Sequence, residues 1–217
     1  MAARGAKVVI TARDLSKGEG VVAAIRAASG DDAVEMEELE LGSMASIRAF
    51  AEGFLARHEK LDLLINNAGV YRERWGKDPV GRIDYADWLD TFAVNTLGAM
   101  RVSEALVDSL ARSERRLLVA VSSHMGSIAD IGAPNDYAYR SSKAALNAAM
   151  KGVSLDLARR GIGVLILHPG WVRTRMGGDK APLSPTESVI GMRRLIDRFR
   201  QDLSGHFYRY DGVEMPW

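Results

Sequence analysis

The chain alternates between short apolar runs and longer stretches in which apolar residues recur every three or four positions. The short runs, rich in valine, leucine and isoleucine, predict strands at 6–12, 34–41, 61–66, 116–122, 162–168 and 206–208. The longer stretches predict helices at 14–29, from 43 onward, and at 87–112, 136–160 and 186–200. The second of these helices should bury Ile47, Phe50, Phe54 and Leu55. Alternating strands and helices predict an α/β fold, with a parallel, doubly wound, Rossmann-like sheet that has helices on both faces.

Length and composition narrow the class of protein further. The 217 residues contain no linker, repeat or low-complexity tract, which predicts a single domain spanning 1–217. A net charge of +1 gives no field to attract nucleic acid or anionic lipid, and no apolar run is long enough to span a bilayer. The absence of cysteine fits a reducing cytoplasm, and the four histidines are scattered, with His168 packed at a strand end. We therefore expect a cytoplasmic protein without a metal, a membrane span or a nucleic-acid partner.

The helix predicted at 136–160 carries a tyrosine and a lysine four residues apart. Residues at this spacing lie one above the other on a helix, so the Tyr139 phenol and the Lys143 ammonium should point into the same space. A free phenol has a pKa of about 10, and ionising it near neutrality needs roughly 4 kcal/mol from its surroundings. The Lys143 cation can supply part of this energy, so the pair can form an acid–base site. A tyrosine that covers a lysine stem on a solvated face is the alternative.

Four further segments accompany this pair in a fixed order. They are Asn66-Asn67-Ala68-Gly69 after a strand, Val94-Asn95 inside a helix, Val121-Ser122-Ser123 at a strand end, and His168-Pro169-Gly170-Trp171-Val172-Arg173-Thr174 after another strand. With the tyrosine and lysine, they resemble the short-chain dehydrogenase/reductase family along nearly the whole chain. The C-terminal Gly212-Val213-Glu214-Met215-Pro216-Trp217 is most similar to the C-factor and sniffer-type carbonyl reductase branch.

The resemblance implies reversible hydride transfer between a nicotinamide cofactor and a carbonyl or secondary alcohol substrate. Tyr139 would be the acid–base group, and Lys143 would lower the pKa of its phenol and hold the nicotinamide ribose. Ser123 would hydrogen-bond the substrate oxygen, which leaves Ser122 a structural role. Asn95 resembles the asparagine that anchors a relay water, although a polar residue that bends the helix is an equal alternative.

The same resemblance assigns residues to the cofactor. Arg13 and Lys17, just after the first strand, favour the 2′-phosphate of NADP over the ribose hydroxyl of NAD. Solvated charges at a helix start are the alternative, and this alternative is stronger for Lys17. The other implied contacts are Glu40 and Leu41 near the adenine, Asn67, Ala68 and Gly69 near the adenosine, Tyr139 and Lys143, and Pro169, Gly170, Val172 and Thr174 near the carboxamide.

The first strand of the family and its glycine-rich phosphate turn are missing from the sequence. The family begins with a strand followed by Thr-Gly-x-x-x-Gly-x-Gly, whereas residues 1–5 resemble the end of the helix that should come next. We therefore expect that Met1 is an internal start and that roughly two dozen or more upstream residues complete the sheet. A protein that has abandoned dinucleotide chemistry is the alternative. Gly18-Glu19-Gly20-Val21-Val22-Ala23 formally fits another nucleotide fingerprint, but we interpret its glycines as the exposed first turns of a helix.

The loops after three strands should bound the substrate. An apolar mouth is predicted from Met125, Trp171 and Met176, with Tyr71 or Trp75, although aromatic residues there could equally cover core. The small-molecule substrate stays open beyond an aldehyde, ketone or secondary alcohol. The family also implies homodimers or homotetramers that pair through the long helices at 87–112 and 136–160. A C-factor-like signalling or interaction protein on the same fold, without efficient turnover, is the rival function.

Overall fold

The computed structural model describes residues 2, 5–29, 34–73 and 79–217. These residues form two compact units, Met1–Arg57 and His58–Trp217. The first unit contains β1 (Val8–Ala12), α1 (Leu15–Ser29), β2 (Val34–Glu38) and α2 (Met44–Arg57). The second contains β3 (Leu63–Asn66), α3 (Tyr85–Phe92), α4 (Ala99–Ala111), β4 (Leu117–Val121), α5 (Tyr137–Asp156), β5 (Gly163–His168), α6 (Pro185–Asp197) and β6 (Phe207–Arg209).

The first unit is built on a parallel pair of strands. β1 and β2 are paired along their whole length, with Val8 opposite Val34. The buried side chains of Val22 in α1 and Val34 in β2 pack together. Around them lie the half-buried side chains of Val8, Ile10, Ile25 and Met36. The strand predicted at 34–41 therefore exists, although it ends at Glu38.

The helices are amphipathic rather than apolar throughout. α2 buries Ile47, Phe50 and Phe54, as predicted. Leu55 is 42% exposed, so its predicted burial is wrong. Each helical residue is rotated by about 100° from the one before it, which turns Leu55 away from the face that buries Phe54. Within the described ranges, no helix combines the length and the apolar character needed to cross a membrane.

The second unit is a four-stranded parallel sheet in the order β3-β4-β5-β6. The inner strands β4 and β5 are buried on both faces, which explains their nearly continuous apolar sequences. Leu118 and Ala120 face the core formed with α4 and α5, whereas Leu117 and Val119 face α6. Helices therefore cover both faces of this sheet. The predicted α/β fold with a parallel, doubly wound arrangement is confirmed.

The single helix predicted at 87–112 is interrupted. α3 ends at Phe92, a π-helical segment occupies Ala93–Gly98, and α4 follows from Ala99. Asn95 and Thr96 in this segment are buried and bond to other parts of the unit, so their side chains leave the helix surface for the interior. The helix predicted at 136–160 also changes character, because α5 ends at Asp156 and a 3₁₀ turn continues to Arg160.

Candidate active site

The first turns of α5 place Tyr139 and Lys143 inside the second unit. Tyr139 is 8% exposed and Lys143 is 2% exposed. The Lys143 Nζ atom lies 6.0 Å from the centroid of the Tyr139 ring. It donates a hydrogen bond, at 3.0 Å, to the carbonyl oxygen of Val121 at the end of β4. The structure thus brings the two groups together, and the alternative of a solvated helix face is wrong.

Ser123 joins this pair from the loop after β4. Its side chain interacts with the Tyr139 phenol and lowers the pKa of that phenol. The Ser123 Oγ atom also accepts a hydrogen bond from the Met125 N–H at 3.2 Å, which caps a short 3₁₀ turn over His124–Gly126. Ser122 differs, because its hydroxyl is buried and has no hydrogen-bond partner among the described residues. Of the two serines, the structure brings Ser123 to the phenol.

Burial controls the ionisation of both α5 groups. It raises the pKa of the Tyr139 phenol, and the interaction with the Ser123 side chain offsets only part of that effect. It also lowers the pKa of Lys143 to about 8, because a buried ammonium group loses its hydration. The pKa of Tyr139 in the folded chain therefore lies above its usual value, and the lowering of this pKa by Lys143 stays a prediction. Loss of solvent around the phenolate is the largest cause of this shift.

Asn95 connects the π-helical segment to two other parts of the unit. Its Oδ1 accepts a hydrogen bond from the Val70 N–H at 2.7 Å, and its Nδ2 donates to the Val70 carbonyl at 2.9 Å. Nδ2 also donates to the Ser142 hydroxyl at 3.0 Å. Asn95 therefore fixes the loop after β3 against α5. The role of anchoring a relay water stays a prediction.

The residues just after β3 combine a fixed strand end with exposed side chains. The Asn66 Nδ2 atom donates to the Ser103 hydroxyl at 2.8 Å, which ties the strand end to α4. Asn67 and Ala68, both predicted cofactor contacts, are exposed. Their exposure leaves them able to contact a ligand.

The space beside the Lys143 ammonium suits the hydroxyl groups of a nucleotide ribose. A Cβ atom added to Gly69 would lie 3.4 Å from both Lys143 Nζ and Asn95 Oδ1, so glycine keeps this space open. An ammonium group has three N–H donors, and Lys143 uses one of them on Val121 within the described part of the chain. The two remaining donors match ribose hydroxyls, so the residues present fit a dinucleotide here.

The start of α5 is capped by a residue that sequence reasoning missed. The Glu73 carboxylate accepts hydrogen bonds from the backbone N–H groups of Ala138 at 3.0 Å and Tyr139 at 2.8 Å. Asp136, which precedes the helix with a φ of 58°, makes no side-chain cap bond and instead accepts from the Tyr71 hydroxyl. A carboxylate at a helix start satisfies free N–H groups and complements the helix dipole. Glu73 lies 65 and 66 positions before the two residues that it caps, so no local sequence pattern could have identified it.

Two predicted members of the apolar mouth contact the phenol from different loops. The rings of Tyr71 and Tyr139 meet edge to face, with 5.1 Å between their centroids. The Met176 Sδ atom lies 3.9 Å from the Tyr139 hydroxyl. Trp75, another candidate for the mouth, lies outside the described residues. The phenol is therefore flanked by an aromatic ring and a thioether.

The loop after β5 is held by its own hydrogen bonds. The Trp171 indole N–H donates to the Gly177 carbonyl at 2.8 Å. The Thr174 hydroxyl, a predicted carboxamide contact, accepts from the Gly177 N–H at 3.1 Å and so closes a turn. Val172 forms an isolated bridge with Leu183. The loop is thus a fixed structure that extends from the carboxyl end of β5.

Pro169 and Gly170 make the exit from β5. The Pro169 carbonyl accepts a hydrogen bond from the Ser188 hydroxyl of α6 at 2.6 Å. Gly170 has a φ of 85°, a backbone conformation that favours glycine. A Cβ atom there would also come within 2.7 Å of Leu183 Cδ2. Both residues shape the backbone, and their contact with a carboxamide stays a prediction.

In the first unit, the structure pairs two of the predicted cofactor residues with each other. The Arg13 Nε atom lies 3.4 Å from a Glu40 carboxylate oxygen. Leu41, the residue after Glu40, is half-buried. Lys17 is exposed and pairs with Asp14 at 3.0 Å, as expected for a charge at a helix start. The Glu40 carboxylate offsets part of the positive charge that Arg13 could offer to a phosphate.

The glycine pair at 18 and 20 is not a phosphate turn. α1 begins at Leu15, so both glycines lie within the helix. Gly20 faces open space, as predicted, but a Cβ atom on Gly18 would come within 2.1 Å of Met36 Sδ. Gly18 therefore allows α1 to approach β2 closely, which corrects the prediction that both glycines are merely exposed.

The fold and this site define the class of protein. The model of the short chain dehydrogenase family matches residues 1–183. The chain belongs to this family, as the sequence motifs predicted.

Particular members of the family are similar to the chain over most of its length. C-signal of Myxococcus xanthus is 44% identical over 171 residues, which are 79% of this chain and 100% of that protein. The carbonyl reductase Sniffer of D. melanogaster has a TM-score of 0.87 and 27% identity, over 100% of this chain and 92% of its own. An NADPH-bound carbonyl reductase from chicken fatty liver has a TM-score of 0.86 and 32% identity, over 97% and 87%. The predicted similarity to the C-factor and sniffer-type branch is confirmed.

Proposed function

We propose that this chain is an NADP(H)-dependent oxidoreductase that transfers a hydride reversibly between nicotinamide and a carbonyl or secondary alcohol carbon. The grouping of Tyr139, Ser123 and Lys143 inside one unit carries the proposal. Membership of the family and similarity to an NADPH-bound carbonyl reductase support it. We also propose that 1–217 acts as one domain, because the family model extends over both units.

Carbonyl reduction needs a hydride at carbon and a proton at oxygen. NADPH, when bound, supplies the hydride. Tyr139 donates its hydroxyl proton to the developing alkoxide, and burial keeps that proton in place at neutral pH until it is needed. Ser123 donates a hydrogen bond to the same oxygen and stabilises its charge. Lys143, with a pKa of about 8, holds a proton that can return to the phenolate near neutral pH.

Cofactor contacts are proposed for each unit by itself. In the second, Lys143 holds the ribose, Asn67 to Gly69 contact the adenosine, and the segment from Pro169 to Thr174 contacts the carboxamide. In the first, Arg13 is the main contact of the 2′-phosphate, and Glu40 and Leu41 contact the adenine. Lys17 is the weaker phosphate contact, because Asp14 already pairs with it.

Replacing Tyr139 by phenylalanine tests the function directly. We expect NADPH oxidation with a panel of aldehydes and ketones to fall by roughly 10²- to 10⁴-fold, because the proton donor is lost. NADPH binding, followed by its fluorescence, should persist. Tyr137→Phe is the matched control, since it removes a phenol from the same helix two residues earlier and should leave turnover intact. Undiminished turnover in Tyr139→Phe contradicts the mechanism.

A signalling or interaction protein without efficient turnover is the second candidate. The observation that favours it is the 44% identity with C-signal over the whole of that protein. NADPH oxidation by the wild-type protein with a panel of carbonyl compounds distinguishes the two candidate functions. A folded chain that oxidises NADPH with no member of a broad carbonyl panel supports the second candidate.

We further propose that copies of the chain pair through the long helices of the second unit. Leu97 in the π-helical segment and Leu155 near the end of α5 are both exposed, although they are large and apolar. Sedimentation of the purified protein should show a dimer or tetramer, and a monomer at micromolar concentration contradicts this arrangement.

A further inference from the structure

A cavity of about 420 Å³ in the second unit is not used by the mechanism above. It lies among the ends of β4, β5 and β6. Its polar walls include His124, His168 and Arg209, and its apolar walls include Trp171, Leu183 and Met215. A cavity with a few polar groups set in apolar walls is the usual form of a small-molecule site.

Two connections join this cavity to the proposed catalytic group. His124 directly follows Ser123, whose side chain interacts with the Tyr139 phenol. Trp171 belongs to the same loop as Met176, whose sulfur lies 3.9 Å from the phenol oxygen. Two loops that line the cavity therefore also contribute residues that contact the phenol.

The cavity contains polar atoms that the protein does not satisfy. The His168 Nδ1 atom is buried and has no hydrogen-bond partner in the part of the chain that the structure describes. Arg209 uses Nε and one Nη atom on the Asp211 carboxylate, at 2.7 to 3.0 Å. Its other Nη atom makes no hydrogen bond to the described residues. A buried polar atom such as His168 Nδ1 is usually paired, so a partner from a ligand is expected for it. The Arg209 side chain is 43% exposed, so a ligand can reach its remaining Nη atom.

Two side chains that can carry positive charge lie near His168. The ring of His124 lies 6.0 Å from that of His168, and Arg209 adds a permanent positive charge. Together with burial, these two groups lower the pKa of His168 to about 4, whereas Asp211 opposes them only weakly. His124 in turn pairs with Asp130 at 3.1 Å. Arg209 and His124 are thus each paired with a carboxylate, and the cavity offers a ligand hydrogen-bond donors rather than a net positive charge.

We propose that this cavity binds the carboxylate of an oxo-acid substrate, with His168 and Arg209 as its hydrogen-bond donors. The inference rests on the proposed function, since it names the substrate class of the same site. Trp171, Leu183 and Met215 hold the carbon skeleton between the carboxylate and the reacting carbonyl. Reduction yields the hydroxy acid, with the hydride added at the carbonyl carbon and the proton at its oxygen.

A matched pair of substrates tests the inference. We compare kcat/KM for 4-oxo-4-phenylbutanoate and for its methyl ester, which share the ketone and differ in charge. The acid should exceed the ester by at least about tenfold, because hydrogen bonds to a charged group are lost in the ester. Arg209→Gln should reduce the acid-to-ester ratio by roughly 10- to 100-fold, and His168→Leu should reduce it in the same direction. Arg200→Gln is the control, since Arg200 makes the same kind of pair with Asp202 on the surface and should leave the ratio unchanged.

The outcomes separate this inference from the proposed function. Equal use of acid and ester, with no effect of Arg209→Gln on the ratio, overturns the inference and leaves the oxidoreductase function standing. If neither compound is reduced, calorimetric titration of the wild-type protein with the acid decides the site alone. Binding that Arg209→Gln weakens and Arg200→Gln does not supports the site, and absence of binding overturns it.

Discussion

The cap that Glu73 provides at the start of α5 makes a sharp prediction, because one of its two donors is the backbone N–H of Tyr139. Glu73→Gln keeps the size of the side chain, removes its charge and replaces one acceptor oxygen by an N–H donor. Cap substitutions cost about 0.5–2 kcal/mol, and hydrogen bonds to charged groups contribute about 1.5–3 kcal/mol. Glu73 is half-buried, so solvent screening reduces the larger figure. We expect a loss of about 1–2 kcal/mol in the free energy of unfolding.

Glu73→Gln should also reduce turnover, because it weakens the hydrogen bond that holds the backbone of Tyr139. Small misplacements of a reacting group cost up to about 100-fold, so we expect kcat to fall by roughly tenfold while KM for NADPH stays unchanged. Urea denaturation and steady-state kinetics measure the two effects separately. Ser184→Ala is the matched control, because Ser184 caps α6 by accepting from the Glu187 N–H and has no link to the phenol. It should lower stability alone.

The comparison of these two variants can refute the reasoning. If Glu73→Gln loses stability as expected but keeps its full kcat, the carboxylate stabilises α5 without positioning Tyr139. If Ser184→Ala lowers kcat as much as Glu73→Gln does, the loss of turnover reflects general destabilisation. Glu73→Asp, which keeps the charge on a shorter side chain, should restore part of kcat if charge at the helix start matters.

Three further predictions concern the neighbours of this site and the cofactor. A Cβ atom on Gly126 would lie 2.9 Å from the backbone carbonyl carbon of Lys143, so Gly126→Ala should lower the free energy of unfolding, measured by urea denaturation, by about 1–3 kcal/mol. A Cβ atom on Gly152 in α5 meets no atom within 4 Å, so Gly152→Ala should raise the free energy of unfolding by about 0.5–1 kcal/mol. Burial lowers the pKa of Lys143 from 10.5 to about 8, so the unfolded chain binds more protons between these values. The free energy of unfolding should therefore gain up to about 1.4 kcal/mol per pH unit there, a slope that Lys143→Met lacks in denaturation at pH 8, 9 and 10. Arg13→Ala should raise KM for NADPH by about tenfold more than KM for NADH, and Lys17→Ala should change this ratio less, in steady-state kinetics.

Local spacing in the sequence was enough to predict much of this molecule. The i to i+4 relation of Tyr139 and Lys143 places both on one side of α5, because helix geometry alone determines it. The apolar runs of β4 and β5 predicted buried parallel strands, because a strand that is covered on both faces needs apolar side chains at nearly every position. Family membership followed from motifs that are short and contiguous.

The features that the sequence did not reveal depend on contacts between distant segments or on burial. Glu73 caps a helix that begins more than sixty residues later in the chain. The π-helical turn at Asn95 depends on bonds to Val70 and Ser142, which no helical period encodes. The pKa of Tyr139 depends on how completely solvent is excluded, and spacing alone could not show how deeply the phenol would be buried.

The burial of Lys143 shows where the fold departs from what stability alone would select. A lysine that is 2% exposed, with one protein acceptor among the described residues, loses hydration that a single carbonyl cannot replace. Its lowered pKa expresses that cost. The Val121 carbonyl nevertheless holds the ammonium group in place through a hydrogen bond. Gly69, which has no side chain, leaves space beside the ammonium group and the Asn95 amide. Groups that violate packing rules in this way are found at functional sites, so a ligand rich in hydroxyl oxygens is the partner that would recover the lost interactions.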